Sequence, residues 1–226
     1  MQDPILITGA ARSGTSIVAG TIQYCGAFGG KTTGPTPFNK KGQFENSEIR
    51  EKIIKSYLRQ IGADPLGQKP LPQSDNLPMD KSIRKKMLSV MKNQGYTDGL
   101  WYFKDTKMCL VWPVFAAAFP EAQWIIVRRR KEEIVLGCLR TRFMHKRKSA
   151  ASWAKWVDVH SRRFEEMKEH LQCLEVWPEK MFQGNFGEMK KAINWLGLEW
   201  NRDVIHDFLE QRLWNKGKPY ENDKEE

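Results

Sequence analysis

The sequence predicts an α/β domain of the phosphate-loop type, three layers with a central, mainly parallel β-sheet flanked by helices. Three observations predict it. Short continuous apolar runs alternate with stretches of helical periodicity, the pattern of strands buried on both faces. The first run breaks at Gly9 and resumes as a helical pattern after Gly14. Three of the four runs end in charged or glycine-rich segments, which in a parallel sheet fall on one rim, where such sheets take their ligands.

The first element is the strand Pro4–Thr8, followed at once by the loop and by Ile17, Val18 and Ile22 at helical spacing. From Gly29 to Gly42 the composition is Gly, Pro and Thr without periodicity, which predicts a loop leading through GQFEN into a helix over about Ser47–Ile61. A second loop is expected from Asp64 to Pro78. Two long loops in a small domain suit lids or acceptor-binding walls. A charged helix over Lys81–Lys92 precedes the second strand, Leu100–Phe103, which ends in Lys104 and Asp105. The third strand, Gln123–Val127, runs into Arg128, Arg129, Arg130 and Lys131, and the fourth is Cys173–Trp177. Between Ala150 and Leu171 the residues Trp153, Trp156, Val157, His160, Phe164, Met167 and Leu171 share one helical face, a core stripe in which His160 is a packed histidine. A shorter helical pattern covers Met189–Leu198. One domain over residues 1–214 and a polar tail over 215–226 complete the organisation.

The chain has 226 residues and carries 37 Lys and Arg against 27 Asp and Glu, a net charge of +10, which points to an anionic partner without choosing among nucleotide, nucleic acid, acidic polymer or membrane surface. The four cysteines show no C-x-x-C pair and no metal-ligand spacing, so reduced thiols and no metal site are expected. The N-terminal run lacks a basic flank, and the longest apolar stretch, Met108–Phe119, is too short for a bilayer; a soluble, cytoplasmic protein is expected.

The loop GAARSGTS has the G-x-x-x-x-G spacing of a nucleotide-binding loop, but Thr15 stands where the lysine belongs and the one charge is Arg12. Backbone N–H groups, a helix N-terminus, hydroxyls and a forked arginine suit an oxyanion that needs no metal. The basic cluster after the third strand would lie on the same rim, so a nucleotide with a 5′ anhydride and a separate 3′-phosphate fits both.

At these residues the sequence resembles the sulfotransferases that use 3′-phosphoadenosine 5′-phosphosulfate (PAPS). ITGAARSGTS is similar to their G-x-P-R-S-G-T-[ST] loop, WIIVRRRKEEIVLGCLRT to their 3′-phosphate segment, FKDTKMC to a K-D-P-[RK]-x-C stretch, and NKKGQFEN to N-P-x-G-[FY]-[FW]-E-N. The resemblance implies that Gly9, Arg12, Ser13, Gly14, Thr15 and Ser16 bind the 5′-phosphosulfate, that Arg129 with Arg128 binds the 3′-phosphate, and that Lys104 and Arg12 supply charge at the sulfuryl group. It makes Glu45 the candidate base, with Asp105 in reserve. The acceptor would bear a hydroxyl or an amine and be held by the loops, with the basic stretch Arg140–Lys148 read as an exposed helix end or a docking patch for an acidic acceptor. No dedicated nucleic-acid partner is expected. The sequence departs from the family pattern at Ala11 and Lys131, where proline is usual, and at Gly137, where a serine usually binds the 3′-phosphate; Arg128, Arg130 or Lys216 are the candidate replacements. Two other classes compete: a phosphate-loop kinase or ATPase, which predicts Mg²⁺-dependent ATP binding, and a non-catalytic basic nucleotide- or nucleic-acid-binding protein, which predicts steeply salt-dependent affinity.

Overall fold

A computed structural model of the chain describes residues 2–36, 39–73 and 76–209. Four parallel strands, β1 (Ile5–Gly9), β2 (Tyr102–Lys104), β3 (Gln123–Val127) and β4 (Cys173–Val176), form one sheet in the order β2-β1-β3-β4. Thr8 lies beside Ile126 and Gly9 beside Val127, and Ile7 lies beside Lys104, so β1, β2 and β3 end together on one rim. The chain leaves β1 toward β2 on one side and returns to β3 on the other, which makes the C-terminal end of β1 the crevice where such sheets bind ligands.

Alternation along the strands sorts the core into two layers. Leu6, Phe103, Trp124 and Ile126 face one cluster, packed with residues of α3 (Lys55–Gln60), α4 (Ile83–Asn93), α5 (Trp112–Ala118) and α7 (Ala150–His170). Ile5, Ile7, Tyr102, Ile125 and Val127 face the other, against α1 (Thr15–Tyr24), α9 (Gly187–Trp195) and α10 (Arg202–Phe208). Between them run α2 (Ser47–Ile49), which continues through a π-helical turn, Arg50–Ile54, into α3; the 3₁₀ turn Met108–Val111; α6 (Lys131–Arg140); and α8 (Glu179–Phe182).

The predicted core stripe is buried from Trp153 to Met167, while Leu171, just past the end of α7, is half-buried; His160 is buried with the stripe, its Nδ1 2.8 Å from the Trp156 carbonyl, and burial lowers its pKa to about 4. Two expectations need correction. The second strand begins at Tyr102, not Leu100, and does not stop at Phe103; it includes Lys104, which is buried. The basic stretch Arg140–Lys148 is not a helix end beyond its first residue. α6 stops at Arg140, and the following segment folds onto the second long loop, with Lys146 Nζ 2.9 Å from Asp64 and Arg147 Nε donating to the Gln68 carbonyl at 3.0 Å. Lys216 and the expected tail lie outside the described residues.

Candidate active site

The loop between β1 and α1 is shaped by two left-handed residues, Arg12 (φ 70°) and Gly14 (φ 94°). Gly9 is needed for close approach: a Cβ there would stand 2.6 Å from the Val127 carbonyl oxygen and 2.8 Å from Ser13 Oγ. No described side chain caps α1, and an uncapped helix start is a place that suits an anion. Ser13 Oγ is buried in this loop with no hydrogen-bond partner among the described residues, a polar atom that an oxyanion would satisfy.

A lysine reaches the loop from β2. Lys104 Nζ lies 3.4 Å from Ser16 Oγ, and it donates to the Gln43 carbonyl at 3.2 Å and to Glu45 Oε1 at 2.6 Å. Asn39 Nδ2 donates to the same Ser16 hydroxyl at 2.7 Å, which ties the first long loop to the phosphate loop.

Local backbone geometry delivers Glu45. Gly42 (φ 108°) and Phe44 (φ 53°) are both left-handed, and the turn drives the Phe44 ring into the core against Tyr24 and Phe208, where Gly20 leaves it room. Glu45 is thereby turned to Lys104, and Asn46 then caps α2 by accepting from the Ile49 amide at 3.3 Å. Arg50 Nη1 binds the other Glu45 oxygen at 3.0 Å. Burial alone would raise the Glu45 carboxyl, but the charges of Lys104 and Lys107 and the hydrogen bonds from Lys104 and Arg50 override it and lower its pKa to about 2.

Asp105 sits beneath this group, fully buried. Its Oδ1 accepts from the Lys107 amide at 2.7 Å and pairs with Lys107 Nζ at 2.8 Å. Burial would lower the Lys107 ammonium, yet the charges of Asp105 and Glu45 hold it raised. Three cations and two carboxylates thus form one buried network on the β2 side of the loop.

On the β3 side the basic run divides. Arg129 Nη1 donates to the Arg12 carbonyl at 2.9 Å and its Nε to Glu133 at 2.7 Å, linking the end of β3 to the phosphate loop. Arg128 turns the other way, to Glu175 at 2.8 Å and Glu165 at 3.2 Å, over the rings of Phe164 and Trp177. A cavity of about 180 Å³ opens here, lined by Ala10, Arg128, Arg129, Arg130, Lys131 and Trp177 among others. Gly137, on α6, faces the Arg12 side chain.

Gly9, Arg12, Ser13, Gly14, Thr15, Ser16, Lys104 and Glu45 are therefore gathered around one loop, with Arg129 bonded to it; Arg128 lines the adjoining cavity, and Asp105 lies below the surface. Sequence reasoning did not single out Arg50, Lys107 or Asn39. For Lys107 a signal was present, its place at the [RK] position of the K-D-P-[RK]-x-C stretch. Among the described residues no cluster of three His, Cys, Asp or Glu side chains has the arrangement of a metal site, and no helix is long and apolar enough to cross a membrane.

A parallel α/β sheet with an uncapped, glycine-turned loop at the end of its central strand and cations on either side defines an anion-binding fold of the phosphate-loop type. The family model described as the Sulfotransferase family matches residues 4–202, and the chain belongs to that family. Among solved structures it is similar to a sulfotransferase from Mycobacterium avium, at 12 % identity and TM-score 0.54, over 92 % of this chain and 67 % of that one. It is also similar to the sulfotransferase domain of the Synechococcus PCC 7002 olefin synthase, at 13 % identity and TM-score 0.54, over 97 % and 82 % of the two chains. At these identities the likeness concerns the fold. No curated protein matches the chain.

Proposed function

We propose that this protein is a PAPS-dependent sulfotransferase acting on a hydroxyl or amine of its acceptor. The observation that carries the reading is the joining of two cationic strand ends through one loop: Lys104 reaches Ser16 from β2, and Arg129 holds the Arg12 carbonyl from β3. The residues fit the donor. The unpartnered Ser13 hydroxyl, the glycine cradle at Gly9 and the open first turn of α1 suit the 5′ end, while Arg129, with Arg128 in the adjoining cavity, suits a 3′-phosphate.

When bound, PAPS supplies the sulfuryl group and leaves as adenosine 3′,5′-bisphosphate. The chain's part is positioning and charge stabilisation, as in phosphoryl transfer. The amides of the loop and the hydroxyls of Ser13, Thr15 and Ser16 orient the 5′ end, and Lys104 and Arg12 place positive charge beside it. Glu45 is ionised at neutral pH and so is in the state to accept a proton. While Lys104 and Arg50 hold both of its oxygens it is a weak base, and it gains basicity as Lys104 turns toward an anion on the loop. The loop that Asn39 anchors forms one wall for the acceptor.

The test is thermal stability of the purified protein without Mg²⁺, against adenosine 3′,5′-bisphosphate and against ATP. Ligand at 100 times its dissociation constant adds about 2.7 kcal/mol. Stabilisation by the bisphosphate, lost in Arg129→Ala, is the expected result; stabilisation only by ATP with Mg²⁺ would sink the reading in favour of a kinase.

A further inference from the structure

The outward face of α6 and the turn after it have no part in the reaction proposed above. α6 buries Ile134, Val135 and Cys138 against the core, so an ordinary surface helix would be polar on its other side. Instead Leu136 and Leu139, three positions apart, are 41 % and 45 % exposed, and Phe143, one turn on, is 44 % exposed. One exposed leucine needs no explanation, but three large apolar side chains so close together mark a contact surface.

The charge around them is of one sign. From Leu136 to Lys148 the chain carries five cations, Arg140, Arg142, Lys146, Arg147 and Lys148, and no carboxylate. The two acids of α6, Glu132 and Glu133, lie in its first turn, at the other end of the helix. Arg142 and Lys148 are exposed, and neither is ion-paired to a described residue. The segment is also fixed in place. The buried Gln68 side chain donates to the Phe143 carbonyl at 2.7 Å and accepts from the Lys146 amide at 3.0 Å, while Asp64 holds Lys146 Nζ at 2.9 Å. Docking through it therefore orders little that is not ordered already.

We propose that this face docks the protein on an anionic lipid surface, with Leu136, Leu139 and Phe143 entering the headgroup boundary and Arg142 and Lys148 meeting the anionic headgroups. Apolar side chains on the outside of a helix need no matching pocket in a fluid interface, whereas a folded partner would have to supply one. A second copy of the chain is disfavoured by charge, since a two-fold contact through this face would bring the cationic segments together. Gly137 of the same helix faces Arg12, so a docked α6 stands between the lipid and the phosphate loop.

The experiment is co-sedimentation of the whole chain with vesicles of phosphatidylcholine alone and with about one-third phosphatidylserine, at low and high salt. Binding to the anionic vesicles at least about tenfold tighter than to the neutral ones is expected, weakening as salt is added. Leu136→Ser with Leu139→Ser, and separately Arg142→Glu with Lys148→Glu, should each weaken it by about fivefold or more, with melting temperatures held because all four side chains stand at the surface. Lys81→Glu with Lys85→Glu, two exposed residues at the start of α4, makes the same change of charge elsewhere and should weaken binding by about twofold or less. An equal loss in that control would show attraction by net charge alone and overturns the proposal, as does equal binding to both kinds of vesicle or binding to neither. Self-association that the leucine substitutions abolish, without vesicle binding, would assign the face to a second copy and overturns it as well. No arm uses a nucleotide, so the result is separable from the donor reading.

Discussion

On the β2 side of the phosphate loop, Lys104, Lys107 and Arg50 are packed against Glu45 and Asp105; on the β3 side, Arg130 and Lys131 meet Glu133 and Asp158 near the surface, and the half-buried Arg128 meets Glu165 and Glu175. The side chain of Lys104 is 3 % exposed and that of Arg130 is 68 % exposed. A buried charge without its partner cannot be solvated, so each member of the first group is held by the others. A surface pair is already half in water, and either partner can be exchanged for a ligand oxygen at small cost. The same residue types therefore give a rigid half and an exchangeable half. That difference suits a site in which one end aligns a reacting group and the other grips and releases a nucleotide.

The largest effect follows from breaking the rigid half. Lys104→Met leaves Glu45 buried with Arg50 and Lys107 as its remaining cations. Loss of about 3 kcal/mol in urea unfolding is expected, at the low end for a severed buried pair because part of the compensation survives. Turnover should fall by at least about 10²-fold, the usual cost of a positioned cation or donor at a developing charge. Lys104→Met combined with Glu45→Gln should regain most of the stability and none of the turnover. If the double variant recovered activity, Lys104 would be a structural partner of Glu45 and no more.

Acid tests the same half from the other partner. The folded Glu45 pKa is depressed from 4.5 to about 2, so its contribution is fully present above the unfolded value and is lost as pH falls through the folded one. That contribution is on the order of 3 kcal/mol, of which about 2 kcal/mol should be gone by about pH 3. Glu45→Gln should be less stable at neutral pH and should have a shallower slope between about pH 5 and about pH 3. Identical slopes in the two proteins would show that other carboxylates govern acid unfolding.

How much of this was legible in the sequence depends on whether the deciding interaction is local. The run QWIIV matches β3 residue for residue, because four consecutive apolar residues after Gln123, with no local alternative, make a buried strand. The second strand, expected over Leu100–Phe103, runs over Tyr102–Lys104, shifted toward its C-terminal end because Lys104 marks a strand end when taken alone. What makes it a strand residue is Glu45, 59 residues away, which no window around position 104 contains. The stretch after Arg140 misled for the same reason, since Lys146 and Arg147 answer to Asp64 and Gln68. Within the site, the loop and Lys104 could be named from motif spacing. The division between Arg128 and Arg129 lay within reach of a period-two argument, since consecutive residues leaving a strand point to opposite sides.

That division yields the smallest expected effect, and the one that sharpens the comparison most. Arg128 is tied to Glu165 and Glu175 and lies over two aromatic rings; Arg129 is tied to the phosphate loop itself. Exposed pairs are worth about 0.2–1 kcal/mol and a surface cation–π contact about 0.5–1 kcal/mol, with overlap between them. Arg128→Ala should therefore cost about 1 kcal/mol, and less as salt is added, because the ion-pair part is screened. Its effect on adenosine 3′,5′-bisphosphate affinity should be a few-fold and also salt-dependent, against a larger and less salt-sensitive loss in Arg129→Ala. The two affinities, measured at low and high salt, decide the matter. If Arg128→Ala weakens the nucleotide as much as Arg129→Ala does, Arg128 must leave Glu165 and Glu175 to reach the ligand, and the β3 half of the site is rebuilt on binding, not merely exchanged.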